Sequence, residues 1–458
     1  MTGFAIRAAA DRAHEWSPLF ADRVFGGSEP APPAERWLLR YLGVVVLLAA
    51  VIVARRPDAV TNPQFWAEDG YIFFSENLTL GFPRALAKFY QGFPYLTHRL
   101  IAWAGGLVPF SAAPRVYTTS AIAVTALVLA SFALPNFRHL VRSDALRVFF
   151  GVAALSLPFD QEVLSTPTNL SWFIAVGLAL LSVARLPRAA WRIALLAGAG
   201  CTAVFSTPLA VLTLPLWLLR AWRGLQRRNR HEMVCAFALI MAFAVVVFMT
   251  GNLGRDQRYS SALTLRHYLI FVCDRVAALV FPVTLAPVSH ATNSAAMTAV
   301  AAGLTALLLA ACAAGGFRRL PAVLVALYFF LGSLLGLGFG RPTLLFLVWY
   351  AVPYRYTVFP AIMLVLAVVA ALDGLPAGQP RRLSTLGVAV VLAAAWASRF
   401  ALPPLRDLDW PGYAVLIEKK IQSGSRFPLT IPMNPSWAPL KLDPAQPRSD
   451  APPESGAN

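Results

Sequence analysis

Three features of this 458-residue sequence predict an all-α, polytopic transmembrane helical bundle with about eleven crossings. Hydrophobic residues make up 58% of the chain and charged residues 13%, whereas a soluble chain carries about a quarter charged. Apolar runs suited to a hydrocarbon layer about 30 Å thick recur along it. Short Arg-rich links separate these runs, and Lys plus Arg exceed Asp plus Glu by 39 to 22, a net charge of +17. Cytoplasmic links obeying the positive-inside rule, together with membrane lipid headgroups, account for that excess. There is no nucleic-acid-binding module and no long hydrophilic domain to hold one, so no nucleic acid is expected as a partner.

Residues 1–36 form a cytoplasmic N-terminal segment, Ala- and Arg-rich with Phe4, Trp16, Phe20 and Phe25, closed by the breaker run Gly26-Gly27-Ser28-Glu29-Pro30. A short amphipathic helix on the membrane surface and an unstructured tail both fit it. It has acids but no apolar core with a cleavage site, so the first helix is read as an uncleaved anchor. A transmembrane domain over 37–400 begins with a span at Trp37–Ala54. The first outer loop, 55–114, holds a polar segment to residue 98 and then Leu100–Phe110, an apolar piece too short to cross. Spans follow at 115–134, 145–158 and 169–184, with Arg138, His139, Arg142 and Arg147 at one end and Asp160-Gln161-Glu162 at the other.

Residues 193–219 are long for one crossing, yet Arg185, Arg188 and Arg192 precede them and Arg220, Arg223 and Arg227 follow. Two half-spans meeting at Ser206-Thr207-Pro208 resolve this, because Pro lacks a donor and disfavours helix in the residue before it. Such a turn survives at membrane depth only where it is buried or lines a wet cavity. Further spans are expected at 233–250, 296–314, 321–339, 356–372 and 384–400, with an interfacial helix at His267–Leu285 and an extracytoplasmic tail over 401–458. Counting from a cytoplasmic N-terminus puts the Arg-rich links 135–144, 185–192, 220–232, Arg318-Arg319 and Arg381-Arg382 inside; Arg55-Arg56 goes against the rule. Cys201, Cys235, Cys273 and Cys312 lack the paired spacing of a zinc or redox site, and neither disulfides nor metal-thiolate centres are expected.

The chemistry concentrates in Phe65-Trp66-Ala67-Glu68-Asp69-Gly70, just after the first span. Two adjacent carboxylates held against a helical bundle are costly to keep, which makes function the working reading. An outward carboxylate pair, outer arginines able to bind an anionic group and a many-helix bundle suggest a reaction on a lipid-linked phosphate. The segment Arg341–Tyr356 adds Trp349, Tyr350, Tyr354 and Arg355, which an interfacial aromatic belt explains equally well. Glu162 with Asn169 forms a second outer polar cluster, suited to binding a hydroxyl or, as readily, a solvated loop with an Asn helix cap.

With its acidic motif in the first outer loop, the chain resembles the GT-C class of integral-membrane glycosyltransferases. More closely, Phe65–Gly70 followed by Tyr95 and His98-Arg99, and Pro432-Met433-Asn434-Pro435 with Trp437 in the tail, look like a group of bacterial membrane proteins sharing a WAEDG-type signature. The resemblance implies a bacterial inner membrane protein that transfers a sugar from a polyprenyl-phosphate donor to a glycan, lipid or protein acceptor on the periplasmic or outer face, with inversion. It places the acidic-motif role on Asp69, with Glu68 beside it. Physical chemistry agrees: an acceptor hydroxyl needs a positioned base, an oxocarbenium-like transition state favours nearby negative charge, and a departing phosphate favours Arg. Arg355 with Tyr356, then Arg99, then Arg341 are the candidates for the phosphate; each is also explicable as a snorkelling interfacial residue. Beside them His98 and Tyr95 either assist or serve structure. Glu68, Asp69 and Glu162 offer oxygen ligands, but no spacing demands a metal; dependence on a divalent cation, Mg or Mn, is left open and no metal residue is assigned. The alternative is a transporter or flippase for a lipid-linked or anionic substrate, for which the 193–219 hairpin is the supporting feature. A non-enzymatic scaffold for other envelope enzymes is a third reading.

Overall fold

The computed structural model describes residues 21–26, 37–157, 159, 161–251, 319–340, 354–423, 429–436 and 439–442. The expected span at 296–314, the interfacial helix at 267–285, Arg341, Trp437, Cys273 and Cys312 lie outside them. The described part is all-α apart from one small hairpin. Its main helices are α1 (Trp37–Arg55), α2 (Leu96–Gly106), α3 (Ala113–Ser131), α4 (Asp144–Ser156), α5 (Leu170–Val183), α6 (Ala190–Val204), α7 (Leu214–Gln226), α8 (Arg230–Gly251), α9 (Leu320–Gly340), α10 (Val358–Gly374), α11 (Gln379–Arg399) and α12 (Trp410–Gln422).

Among the described residues four helices are long and apolar enough to cross a membrane: Trp37–Arg55, Phe110–Ser131, Arg230–Thr250 and Arg355–Gly374. They suggest a multi-pass membrane protein. Their burial differs, and that ranks their roles. The α10 helix, apolar on all sides, is buried along nearly its whole length and packs against α9, α4 and α5. The α1 helix is as apolar, yet Leu38, Leu39, Val46 and Leu47 lie open on its surface. Contiguous apolar exposure of that kind suits lipid rather than water.

The expected break at Ser206-Thr207-Pro208 is present. The α6 and α7 helices, of 15 and 13 residues, are joined by an irregular turn at 205–207 and a 3₁₀ segment, Pro208–Thr213. At 1.5 Å per residue each is roughly 20 Å long, short of the hydrocarbon thickness. Thr207, before the proline, is extended at φ −147°, ψ 128°. The turn is tied to the start of α2: Leu96 N–H donates to the Phe205 carbonyl (3.0 Å) and Thr97 N–H to the Ser206 side-chain Oγ (2.9 Å).

The Arg-rich links meet at one end of the bundle. There, buried Asp373 accepts from the N–H groups of Arg142 (2.8 Å) and Ser143 (3.1 Å) and pairs with Arg319 (2.8 Å) and Arg381 (3.7 Å). Nearby, Asp22 and the Gly26 carbonyl engage Arg223, while His139 contacts the Val24 carbonyl at 2.9 Å. Thus residues 21–26 share a face with the links 135–144, 220–232 and 381–382. The acidic loop lies with the 161–169 loop and the C-terminal segment instead.

Arg55 and Arg56, the exceptions to the charge rule, are fully enclosed. Arg55 donates to the Phe400 carbonyl (3.1 Å) and to the carbonyls of Leu155 and Leu157 (2.9 Å to the latter), at the end of α4. Arg56 pairs with Asp58 at 2.8 Å. Arg55 thus satisfies carbonyls at a helix end and Arg56 donates to the loop carbonyls of Gln161 and Leu164, packing roles that loop charge counting does not register.

Candidate active site

The acidic turn is held in an unusual backbone. Ala67 has φ +38°, rare for a residue with a Cβ, and its N–H donates to the Asn434 carbonyl at 2.5 Å. Asn434 in turn donates to the Arg406 carbonyl (2.8 Å), and Leu405 N–H reaches Asp58 (3.1 Å). Phe65 packs edge-on to Trp410 (4.6 Å) and Tyr117 (4.9 Å). A Cβ at Gly70 would collide with the Met433 side chain, so the glycine permits this close seat. From Asp69 to Phe74 the chain forms a π-helical turn, a geometry frequent at functional sites. The C-terminal segment therefore clamps the loop from outside.

Asp69 is 2% exposed, and its Oδ1 accepts two hydrogen bonds from one residue, Thr168 N–H (2.7 Å) and Thr168 Oγ1–H (2.6 Å). Burial pushes its pKa up to about 8; the Thr168 bonds oppose this and the charge of Glu68 adds to it. Thr168 stands in the 3₁₀ turn Pro167–Asn169 that opens α5. Glu68, 7% exposed, accepts from Tyr90 Oη at 3.3 Å through one oxygen, and its other oxygen is buried without a partner. The Tyr71 and Tyr90 hydroxyls are 3.3 Å apart. Burial, reinforced by Glu68, raises the pKa of both tyrosines, so they remain neutral hydrogen-bonding groups.

The two polar clusters form one site. Arg355 stands in the field of both Glu162 and Glu68; its Nη1 is 3.7 Å from Glu162 and its Nη2 is 3.4 Å from Tyr356 Oη. Tyr356 packs edge-on to Trp172 of α5 (5.4 Å). Asn169 Nδ2 donates to the Glu162 carbonyl (2.6 Å) and to Thr166 Oγ1 (3.0 Å), fixing the loop that presents Glu162. Residues 68, 69, 162, 168, 169, 355 and 356 thus converge from three regions of the chain.

The remaining candidates lie behind this group. Arg99 is 2% exposed, ion-paired to Glu76, with its guanidinium 5.2 Å from the Phe73 ring centroid. Its charge is compensated inside the fold, unlike that of a cation open to a phosphate. His98 is fully buried between Phe73 (5.2 Å) and Tyr95 (5.1 Å). Its ring lies by the backbone of Pro167 and Thr168, short of good hydrogen-bond geometry, and burial lowers its pKa to about 4, with Arg99 adding to this. Tyr95, at φ +51°, precedes α2 and stacks in the same aromatic group. Arg341 is outside the described residues.

Sequence reading missed Thr168, Tyr90 and Tyr71. A faint signal existed for Thr168 in Thr166-Pro167-Thr168-Asn169, a run of short polar residues around a proline at a helix start. Thr168→Val removes the hydroxyl donor and one influence that lowers the Asp69 pKa. Any activity needing ionised Asp69 is expected to shift its pH profile upward, and a pH–rate series checks it.

Among the described residues no group of three or more His, Cys, Asp or Glu converges as a metal-ion site. No protein-family model, no curated protein and no solved structure matches this chain.

Proposed function

We propose that the protein is an inverting membrane glycosyltransferase that uses a polyprenyl-phosphate sugar as donor and a hydroxyl of a cell-envelope glycan, lipid or protein as acceptor. The observation carrying this is Asp69: a carboxylate removed from water, oriented by two hydrogen bonds from Thr168 and tuned to a pKa of about 8, beside Glu68 and Arg355. General bases work best with a pKa near the working pH. In the reaction the acceptor oxygen attacks the anomeric carbon and its proton passes to the Asp69 carboxylate. The bond from that carbon to the phosphate oxygen breaks, and the electron pair leaves with the polyprenyl phosphate. The contacts of Arg355, at 3.7 and 3.4 Å, are longer than tight charge-assisted bonds of about 2.7–2.9 Å, so its guanidinium can turn to the leaving phosphate.

A flippase draws support from the helix break between α6 and α7, and one assay separates the readings. The purified protein in nanodiscs is given radiolabelled polyprenyl-phosphate sugar and envelope extract, in parallel with a liposome assay of transbilayer lipid movement. Label transfer with release of polyprenyl phosphate, rising with pH toward about 8, is the expected result. Lipid movement without transfer favours the flippase, and neither activity favours a scaffold.

A further inference from the structure

We infer that Glu68, Tyr90, Tyr71 and Gln91 form a subsite for the hydroxyl face of a pyranose sugar, distinct in role from Asp69; this rests on the glycosyl-transfer reading above. The key group is Glu68. At 7% exposure it keeps one oxygen on Tyr90 Oη (3.3 Å) and holds the other in the interior with no donor. A buried carboxylate oxygen left unpaired carries an uncompensated desolvation penalty, which a ligand donor relieves. A lipid tail has no donor, and an ionised phosphate has none either and is repelled by the carboxylate. A sugar hydroxyl donates and accepts at once.

The surroundings fit that chemistry. Tyr71 and Tyr90 are half-buried, each offering an apolar ring and a hydroxyl, and the two oxygens are 3.3 Å apart. Exposed Gln91 donates through Nε2 to Tyr90 Oη at 3.0 Å, leaving its amide oxygen to accept. The Glu68 carboxylate, the two tyrosine hydroxyls and the Gln91 amide are thus linked through Tyr90 Oη beside two aromatic rings, the pairing of apolar surface with a few placed polar groups that small-molecule sites use. Arg355, in the field of Glu68, offsets the carboxylate so that a phosphate can sit nearby on the same donor.

The test is equilibrium binding to the full-length protein in nanodiscs, comparing radiolabelled polyprenyl-phosphate sugar with sugar-free polyprenyl phosphate, alongside KM and kcat for transfer. Wild type is expected to prefer the sugar-bearing lipid by about tenfold or more, since a site built for a hydroxyl rejects a ligand lacking it. Glu68→Gln and Tyr90→Phe are expected to remove that preference, leave sugar-free binding unchanged, and raise KM more than they lower kcat. If these variants instead raise KM only for a saccharide acceptor, the subsite takes the acceptor sugar. Wild-type binding blind to the sugar, with both KM values unmoved in the variants, overturns the inference. Transfer that proceeds normally in both variants sinks the subsite alone; sugar-dependent binding lost in the variants, without transfer in any protein, sinks the transfer reading alone. Unfolding temperatures matched to wild type guard against misfolded variants.

Discussion

Asp69→Asn is expected to lower kcat for sugar transfer by about 10²- to 10⁴-fold, the usual contribution of a positioned general base, while making the protein more stable at alkaline pH. Asn retains the Oδ1 acceptor for Thr168, so the loop keeps its anchor and the loss is chemical. The stability half follows from linkage. The folded-state pKa of Asp69, about 8, lies above its ordinary value of 3.8. Between those values the folded protein holds a proton that the unfolded chain has released, so wild-type stability falls as pH rises through this window. A gap of that size is worth on the order of several kcal/mol, at about 1.4 kcal/mol per pH unit. The variant does not titrate there, so its advantage in unfolding temperature should be absent near pH 4, grow toward pH 8 and then level off. Thermal unfolding in detergent at pH 5, 7 and 9 reads this without any substrate. Undiminished transfer by the variant would remove Asp69 as the base, and a flat stability difference would show that it is not buried and protonated as described.

At the other end of the bundle, Asp373→Ala is expected to cost about 3–5 kcal/mol, the range for stripping one partner from a buried ion pair. The side chain is fully enclosed and takes two backbone N–H groups from the link after α3, one guanidinium from the start of α9 and another from the start of α11. Its loss leaves those N–H groups without this acceptor and the guanidinium charges less compensated. Asp373→Asn, which keeps a carbonyl oxygen, is expected to fall between Ala and wild type. Because this latch and Asp69 lie at opposite ends, activity per folded molecule should be unchanged. Denaturant unfolding in mixed micelles measures the effect, and a difference under about 1 kcal/mol would show that the latch does not hold the links.

Most of the main described helices lie close to where apolar runs and prolines put them, including the break before Pro208, since hydrophobic length and missing backbone donors are local properties; α7 runs on to Gln226, and α12 lies in what the sequence read as a tail. The function of Arg55 and Arg56 was not legible, because a carbonyl accepting a guanidinium one hundred residues away leaves no trace in a charge count. The candidate site divides in the same way. Glu68 and Asp69 stood out as adjacent acids beside a first span, and Glu162, Asn169 and Arg355 as separate polar islands.

By itself the sequence determined the all-α class, the apolar helices and the polar chemistry available between them, for these follow from composition and periodicity along the chain. Only the tertiary structure decided that Thr168 holds Asp69, that Glu162 and Arg355 join the acidic loop, that Arg99 turns inward to Glu76, and that the C-terminal segment closes over the motif. The physical reason is that a carboxylate acquires its pKa and its partners from what surrounds it in space. For Asp69 those surroundings are assembled from residues near 168, 355 and 434, which no local pattern connects.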